Sequence, residues 1–367
     1  MNIEFSDEQK MLTNMVEKFT ADHYDVLKRD NYLKEEAGFS QKNWSIMAET
    51  GLLTIPISEE SGGSGGNAAD LISVMQPFGR AVAVEPMLSC AVFAGHFLDL
   101  AGSSTQKEEW VSKIMDGSRS VAVAHSEHDV RYDLGYVTTN FTDTKEGYTL
   151  SGQKTFVMGA GAADAYIVSA IPQNGSSDDK TLIRFFLVKD ESKNLSKRTY
   201  RLTDGSIACE LDLHGTIGEP MDAKFEDFLQ SVALTKIGAC AEMVGLTELL
   251  FDATIDYVKT REQFGRPLAK FQVIQHRLSD AYAKLELSRS HLINLASLSP
   301  GDAHYRKTIS GTKAFISKTA LEIAEESVQL HGGMGVSNEM LVGQALKRIL
   351  VLSTLFGDVN TEMSRYS

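Results

Sequence analysis

The sequence predicts an α+β fold: an N-terminal helical domain, a middle antiparallel β-sheet domain and a C-terminal four-helix bundle. Three observations predict it. Apolar residues recur at helical spacing in the first and last thirds of the chain, as in Leu12, Met15, Val16 and Phe19. Short apolar and β-branched runs separated by turn residues fill the middle third. No strand–helix–strand alternation occurs, which argues against a nucleotide-binding core of the doubly wound type. The boundaries drawn from these changes are 1–118, 119–230 and 231–367.

The first block opens on Ser6 and Gln9, the spacing of a capping box, in which each side chain satisfies a free amide of the other's turn. Gly62, Gly63, Gly65 and Gly66 then break the pattern and mark a loop. Helical segments resume over Leu88–Leu100 and Gln106–Met115. In the second block the runs Val121–Ala124, Tyr136–Thr139, Tyr148–Leu150, Ala165–Ala170 and Leu182–Val188 read as strands, with a turn over Asp143–Gly147. Gln173–Lys193 reads as a surface loop and a strand. In the third block Met243, Leu246, Leu250, Ala253 and Tyr257 step by three and four. Ile274, Leu278, Ala281 and Leu285 repeat the pattern, as do Ile316, Ala320 and Ile323. Turns at Gly265–Pro267 and Ser299–Gly301 join these helices into a bundle.

Composition narrows the function. Of 367 residues, 36 are basic and 49 acidic, a net charge of −13. That disfavours general binding to nucleic acid or anionic lipid, since both require a cationic field. Apolar residues make up 43%, enough for a folded core. Cys90, Cys209 and Cys240 lie far apart without a CxxC pair, which fits a reducing compartment and provides no disulfide or zinc framework. The start Met1-Asn-Ile-Glu-Phe-Ser-Asp-Glu8 lacks the features of a secretory leader, so the expected location is cytoplasmic. No apolar run reaches the roughly 18–20 residues that span a bilayer.

Two segments carry chemistry. Arg261-Glu-Gln-Phe-Gly265-Arg-Pro-Leu268-Ala-Lys-Phe-Gln272 sits where one long helix gives way to the next. A helix corner, with Gly265 ending one helix and Pro267 starting the next, explains the glycine and proline. It leaves Arg261, Gln263, Phe264 and the Phe271-Gln272 pair unexplained, and an arginine there suits a diphosphate. Gln329-Leu-His331-Gly332-Gly333-Met-Gly335 is either a glycine helix cap or a place where backbone amides approach a phosphate or ribose. His331 itself reads as a structural histidine. Gly159-Ala-Gly161 reads as a turn rather than a dinucleotide loop.

Together these motifs resemble those of the acyl-CoA dehydrogenase family, and the resemblance runs over nearly the whole chain. It implies a bound FAD, an acyl-CoA substrate, an electron-transfer flavoprotein as acceptor, and an oligomer in which one subunit completes another's flavin site. It implies that Arg261, Gln263 and Phe264 contact the diphosphate and adenosine part of a neighbour's FAD. Gln329, Gly332 and Gly333 would line the same cofactor, which members hold between the sheet domain and the bundle. The family's Thr-Glu at the end of the first strand is matched by Ser126-Glu127, whose hydroxyl would face the flavin ring. Tyr132 replaces a family serine at the thioester. The family's Gly-x-Lys-x-Trp-Ile-Thr is matched by Gly152-Gln-Lys154-Thr-Phe156-Val-Met158. Phe156 would pack on the flavin, but Met158 lacks the hydroxyl that the family's threonine offers to flavin N5.

The reaction so implied is α,β-dehydrogenation of the thioester to the 2,3-enoyl-CoA, with a carboxylate taking the α-proton and hydride passing to N5. Counting back from Arg365 puts Asp358 at the family's catalytic glutamate. The competing reading of Asp358 is a turn residue following Gly357. A second family position for the base falls near Thr235, which cannot act as one; Lys236 beside it is expected to face substrate. The segments around Tyr132 and Asp358 more closely resemble the small subunits of pimeloyl-CoA dehydrogenase-like enzymes and the heteromeric steroid acyl-CoA dehydrogenases. The alternative is therefore a non-catalytic or half-site partner of a paralogous chain. A nucleic-acid-acting branch is disfavoured by the net charge.

Overall fold

The computed structural model describes residues 6–145, 147–337 and 339–367. Met1–Phe5, and Glu146 in the expected Asp143–Gly147 turn, lie outside the described residues. The helices are α1 (Asp7–His23), α2 (Val26–Lys34), α3 (Gln41–Glu49), α4 (Ala68–Arg80), α5 (His96–Ala101), α6 (Ser104–Gln106) and α7 (Ser112–Met115), then α8 (Phe225–Thr260), α9 (Gln272–Ala296), α10 (Tyr305–His331), α11 (Leu341–Thr354) and α12 (Val359–Tyr366). Between α7 and α8 lie strands β1 (Val121–Ala124), β2 (Asn140–Thr144), β3 (Gly147–Met158), β4 (Ala165–Pro172), β5 (Arg184–Lys189), β6 (Leu195–Arg201) and β7 (Ile207–Pro220). The helix–sheet–helix order is the one read from the sequence. The chain packs into two compact units.

One unit is formed by the described residues of Met1–Asn31, Asn67–Ala83 and Lys236–Ser367. The Ser6–Gln9 capping box starts α1, with Gln9 Oε1 accepting from Ser6 N at 2.9 Å. A second box, Asn67 with Asp70, starts α4. Here α4 crosses α8 at backbone contact: a Cβ on Gly79 would overlap Glu242 O, and one on Gly245 would overlap Gln76 O. Glycine is needed at both positions because two helix backbones meet there. Ion pairs brace the bundle, among them Arg348–Glu242 at 2.6 Å and Arg289–Glu248 at 2.7 Å. The bundle gains a short fifth helix, α12, beyond the four expected.

The other unit comprises Tyr32–Gly66 and Val84–Thr235. Its sheet is largely antiparallel, and β4 pairs with both β2 and β5, so the pairings β4-β2-β3-β7-β5 close on themselves. The expectation of a purely antiparallel sheet is corrected at β4, which runs parallel to β1 and β2. Ala122, Leu150, Val157, Tyr166, Val168, Phe186 and Leu211 fill its core. The run Tyr136–Thr139 is not a strand. The amides of Thr138 and Thr139 bond the Glu127 carboxylate at 2.7 and 3.0 Å instead of a neighbouring strand.

Candidate cofactor and substrate site

In the sheet unit, β1 ends at Ala124 and is followed by His125-Ser126-Glu127, and Thr155 N–H donates to Ser126 O at 2.8 Å. That bond sets the Ser126 backbone against the Phe156 segment of β3. The ladder between β3 and β7 breaks between Lys154 and Val157, and Phe156 takes a left-handed φ of 53°. A bulge of this kind re-aims one side chain, and a left-handed phenylalanine is strained enough to need support from its surroundings. Part of that support is visible: Phe156 N–H donates to Tyr200 Oη at 3.2 Å. Gly152, two residues before Lys154, has φ 145° and would carry its Cβ 2.7 Å from Thr139 Cα. The spacing of this motif thus answers to backbone crowding.

Beneath this surface lies a buried polar network that the sequence reading missed. Lys154 Nζ donates to Glu127 Oε1 at 2.7 Å, to Ser169 Oγ at 3.0 Å and to His125 O at 3.3 Å. Thr138 Oγ1 also donates to Glu127. Burial pulls the Lys154 ammonium down to about 8 against the attraction of Glu127. Burial would raise the Glu127 carboxyl, but Lys154 and the bonds from Thr138 and Thr139 outweigh it and hold it at about 2. His125 is driven down to about 3, first by burial and then by Lys154, and is therefore a neutral imidazole. The available signal was the placement of Lys154 four residues after Leu150, on the same, buried face of β3. Tyr132, on the same loop, is half-buried.

In the helical unit, α8 ends at Thr260 and the Arg261 segment forms a two-stranded hairpin, β8 (Glu262–Gln263) with β9 (Arg266–Pro267). This corrects the helix-corner expectation. Phe264 and Gly265 have φ values of 52° and 77°, the two positive angles of a tight hairpin turn, so Gly265 turns a hairpin rather than capping a helix. Phe264 is 92% exposed, and Arg261 and Gln263 are also exposed. The Arg266 guanidinium lies 4.1 Å from the centroid of the Phe271 ring, bracing the hairpin.

The two sequence motifs meet. Arg261 N–H donates to Tyr257 O at 2.8 Å. The Tyr257 ring stacks on His331 at 4.4 Å, and its hydroxyl donates to His331 O at 3.3 Å. His331 is buried, with Nδ1 bonded to Ser327 O at 2.7 Å, but its Nε2 is buried without a hydrogen-bond partner among the described residues, so it is not the fully satisfied structural histidine expected. Gly332 follows with φ 60°, and a Cβ on Gly332 or Gly333 would meet nothing within 4 Å. Gln329, Gly332 and Gly333 are all exposed. Arg261 and the glycine turn are thus carried on adjoining helix ends.

The segment Leu355-Phe356-Gly357-Asp358 has its own frame in the same unit. Asp358 is the N-cap of α12, its Oδ1 accepting from Thr361 N–H at 2.8 Å. The residue directly before Gly357 is Phe356, with φ 60°. Arg365 donates to Phe356 O at 2.6 Å, and Lys313 to Gly357 O at 2.8 Å. Lys236 is turned inward, paired with the two oxygens of the fully buried Glu362 at 2.7 and 2.9 Å. Thr235 is buried, donating to Ser231 O at 2.7 Å. The Glu362 pair was not foreseen, because its spacing from Lys236 is legible only in three dimensions.

Comparison with known proteins assigns the family. Residues 6–118, 122–214 and 225–365 match the N-terminal, middle and C-terminal domains described as acyl-CoA dehydrogenase. A subunit of Acetobacterium woodii, the caffeyl-CoA reductase-Etf complex subunit CarC, is 28% identical over 92% of this chain and 91% of its own. Two solved structures share the fold. The ChsE4-ChsE5 complex from Mycobacterium tuberculosis superposes with a TM-score of 0.89 at 22% identity, covering 100% of this chain and 97% of that one. The FAD complex of PigA superposes with a TM-score of 0.91 at 21% identity, covering 100% and 98%. The chain belongs to the acyl-CoA dehydrogenase family of oxidoreductases. Among the described residues, no helix is long and apolar enough to cross a membrane.

Proposed function

We propose that the chain is an FAD-dependent acyl-CoA dehydrogenase subunit that converts an acyl-CoA thioester to the 2,3-enoyl-CoA. The observation that carries this reading is the Tyr257–His331 stack, which brings the Arg261 segment and the Gly332-Gly333 turn together. The donor set suits FAD: an exposed arginine, an exposed aromatic ring on a stiff hairpin, and open glycines whose amides accept close approach. Arg261, Gln263, Phe264, Gln329, Gly332 and Gly333 would hold the diphosphate and adenosine part of a neighbouring subunit's FAD, and, separately, Ser126 and Phe156 would meet a flavin ring. FAD, when bound, supplies the hydride acceptor at N5.

The rest falls to the chain's own residues. An α-C–H is a weak acid, so its removal needs a positioned carboxylate and a thioester carbonyl polarised by hydrogen bonds. Asp358 is the carboxylate proposed for the proton, and Tyr132 the residue proposed beside the thioester. Lys236, held by Glu362, acts from within by fixing α12 rather than by touching substrate. The proposed partner is an electron-transfer flavoprotein, as the name of CarC, a subunit of a caffeyl-CoA reductase-Etf complex, suggests, and the proposed compartment is the cytoplasm.

Asp358→Asn separates chemistry from architecture, because asparagine caps a helix as well as aspartate but is no base. The expected result is a folded, yellow protein whose flavin is no longer bleached anaerobically by the acyl-CoA that bleaches wild type. The screen covers straight, branched, dicarboxylyl and steroid acyl-CoAs. Bleaching at the wild-type rate would refute Asp358 as the base. The second reading, a half-site partner subunit, is favoured by the Asp358 capping bond, which already commits one carboxylate oxygen. Co-purification with a paralogous chain supports it, and flavin reduction by the isolated homomer refutes it.

A further inference from the structure

We infer that the Tyr200 hydroxyl is the hydrogen-bond donor to the polar edge of the flavin ring, in place of the hydroxyl that Met158 lacks. The inference deepens the flavin reading and rests on it. It starts from the bulge in β3. Tyr200 lies on β6, paired with Ala208 of β7, and Ala208 pairs in turn with Met158 of β3. Tyr200 and Met158 therefore flank one residue of the same sheet, two strands apart, and the tyrosine is long enough to cross β7. Its Oη accepts the Phe156 amide at 3.2 Å, so the phenol sits directly against the re-aimed aromatic.

A phenol that accepts one hydrogen bond still has its own proton to give. Among the described residues no acceptor for that proton is present. The side chain is half-buried, on the bulge that positions Phe156. What points to a ligand is the placement of the phenol against the re-aimed Phe156, across β7 from Met158, with a donor not used within the protein. A flavin presents acceptors along its N5 and carbonyl edge, and a donor there favours the more electron-rich reduced ring. Methionine sulfur is only a weak acceptor and donates nothing.

The test uses apoprotein reconstituted with FAD and reads affinity, the visible band of the bound flavin and its midpoint potential. Tyr200→Phe keeps the ring and removes the donor. A net hydrogen bond of about 1 kcal/mol predicts FAD affinity roughly fivefold lower, a shifted visible band and a lower midpoint potential. Adding Met158→Thr to Tyr200→Phe is expected to move the potential back toward wild type. A band, potential and affinity unchanged in Tyr200→Phe overturn the inference while leaving the flavin reading intact. Failure of wild type to bind FAD overturns both. Should Tyr200→Phe not fold, Met158→Thr alone decides: with the donor already supplied the band stays in place, and a shift refutes the inference.

Discussion

Replacing Glu127 by glutamine should destabilise this protein far more than replacing Glu127 and Lys154 together. The pair lies at 2.7 Å with side-chain exposures of 4% and 0%. Glu127 is held at about 2, below its ordinary 4.5. At about 1.4 kcal/mol per pKa unit, that difference contributes on the order of 3 kcal/mol at neutral pH. Lys154 is held at about 8, below its ordinary 10.5, which costs a similar amount while the lysine stays charged. The two terms nearly cancel, as buried pairs commonly do. Removing one partner ends the cancellation. Glu127→Gln keeps an acceptor oxygen for only one of the Thr138 and Thr139 amides, which bond different oxygens of the carboxylate, and leaves Lys154 buried beside no charge, at a cost of about 3–5 kcal/mol. Glu127→Gln with Lys154→Met should lie within about 1.5 kcal/mol of wild type. Urea unfolding midpoints at pH 7, with unchanged m-values, measure all four corners of the cycle.

The pH dependence has a definite sign. The Glu127 contribution is fully present above about 4.5 and is lost as pH falls toward about 2. For Lys154 the unfolded chain binds the extra proton between about 8 and 10.5, so this group adds stability as pH rises through that window. Glu127→Gln should remove this group's share of the acid-side loss. A cost below about 1 kcal/mol for Glu127→Gln, or an unchanged acid-side profile, would refute the account.

Two further outcomes follow from the helical unit. Gly245→Ala should cost at least about 1–3 kcal/mol, because its Cβ overlaps Gln76 O at the α4–α8 crossing; Gly301→Ala, which meets nothing within 4 Å, serves as the control, and thermal unfolding compares them. Phe264→Gly relieves a left-handed phenylalanine worth about 1 kcal/mol or more. It should therefore leave the melting temperature unchanged or raised while weakening FAD retention several-fold in a gel-filtration assay.

Much of this was written locally. The helical stripes of α8, α9 and α10, the Ser6–Gln9 cap and the glycine-marked turns depend on neighbours a few residues apart, and a linear sequence displays them. The motifs around Arg261 and Gly332 could be recognised for the same reason. What the Arg261 segment becomes was less legible: Gly265 is compatible with a helix cap or a hairpin, and the pairing of Gln263 with Arg266 selects the hairpin. Likewise Val137, Thr138 and Thr139 have strand-forming side chains, but the Glu127 carboxylate claims the Thr138 and Thr139 amides first.

By itself, then, the sequence determined the order of helices and strands, which follows from local periodicity, and it carried the motifs on which the family resemblance rests. Tertiary structure decided which charges are buried together, where Phe156 is aimed, and that Tyr200 stands beside it. Those partners are separated by 44 residues in Phe156–Tyr200, 27 in Glu127–Lys154 and 126 in Lys236–Glu362. Only folding brings groups that far apart along the chain within hydrogen-bond reach, and only burial makes their charges cost enough to matter.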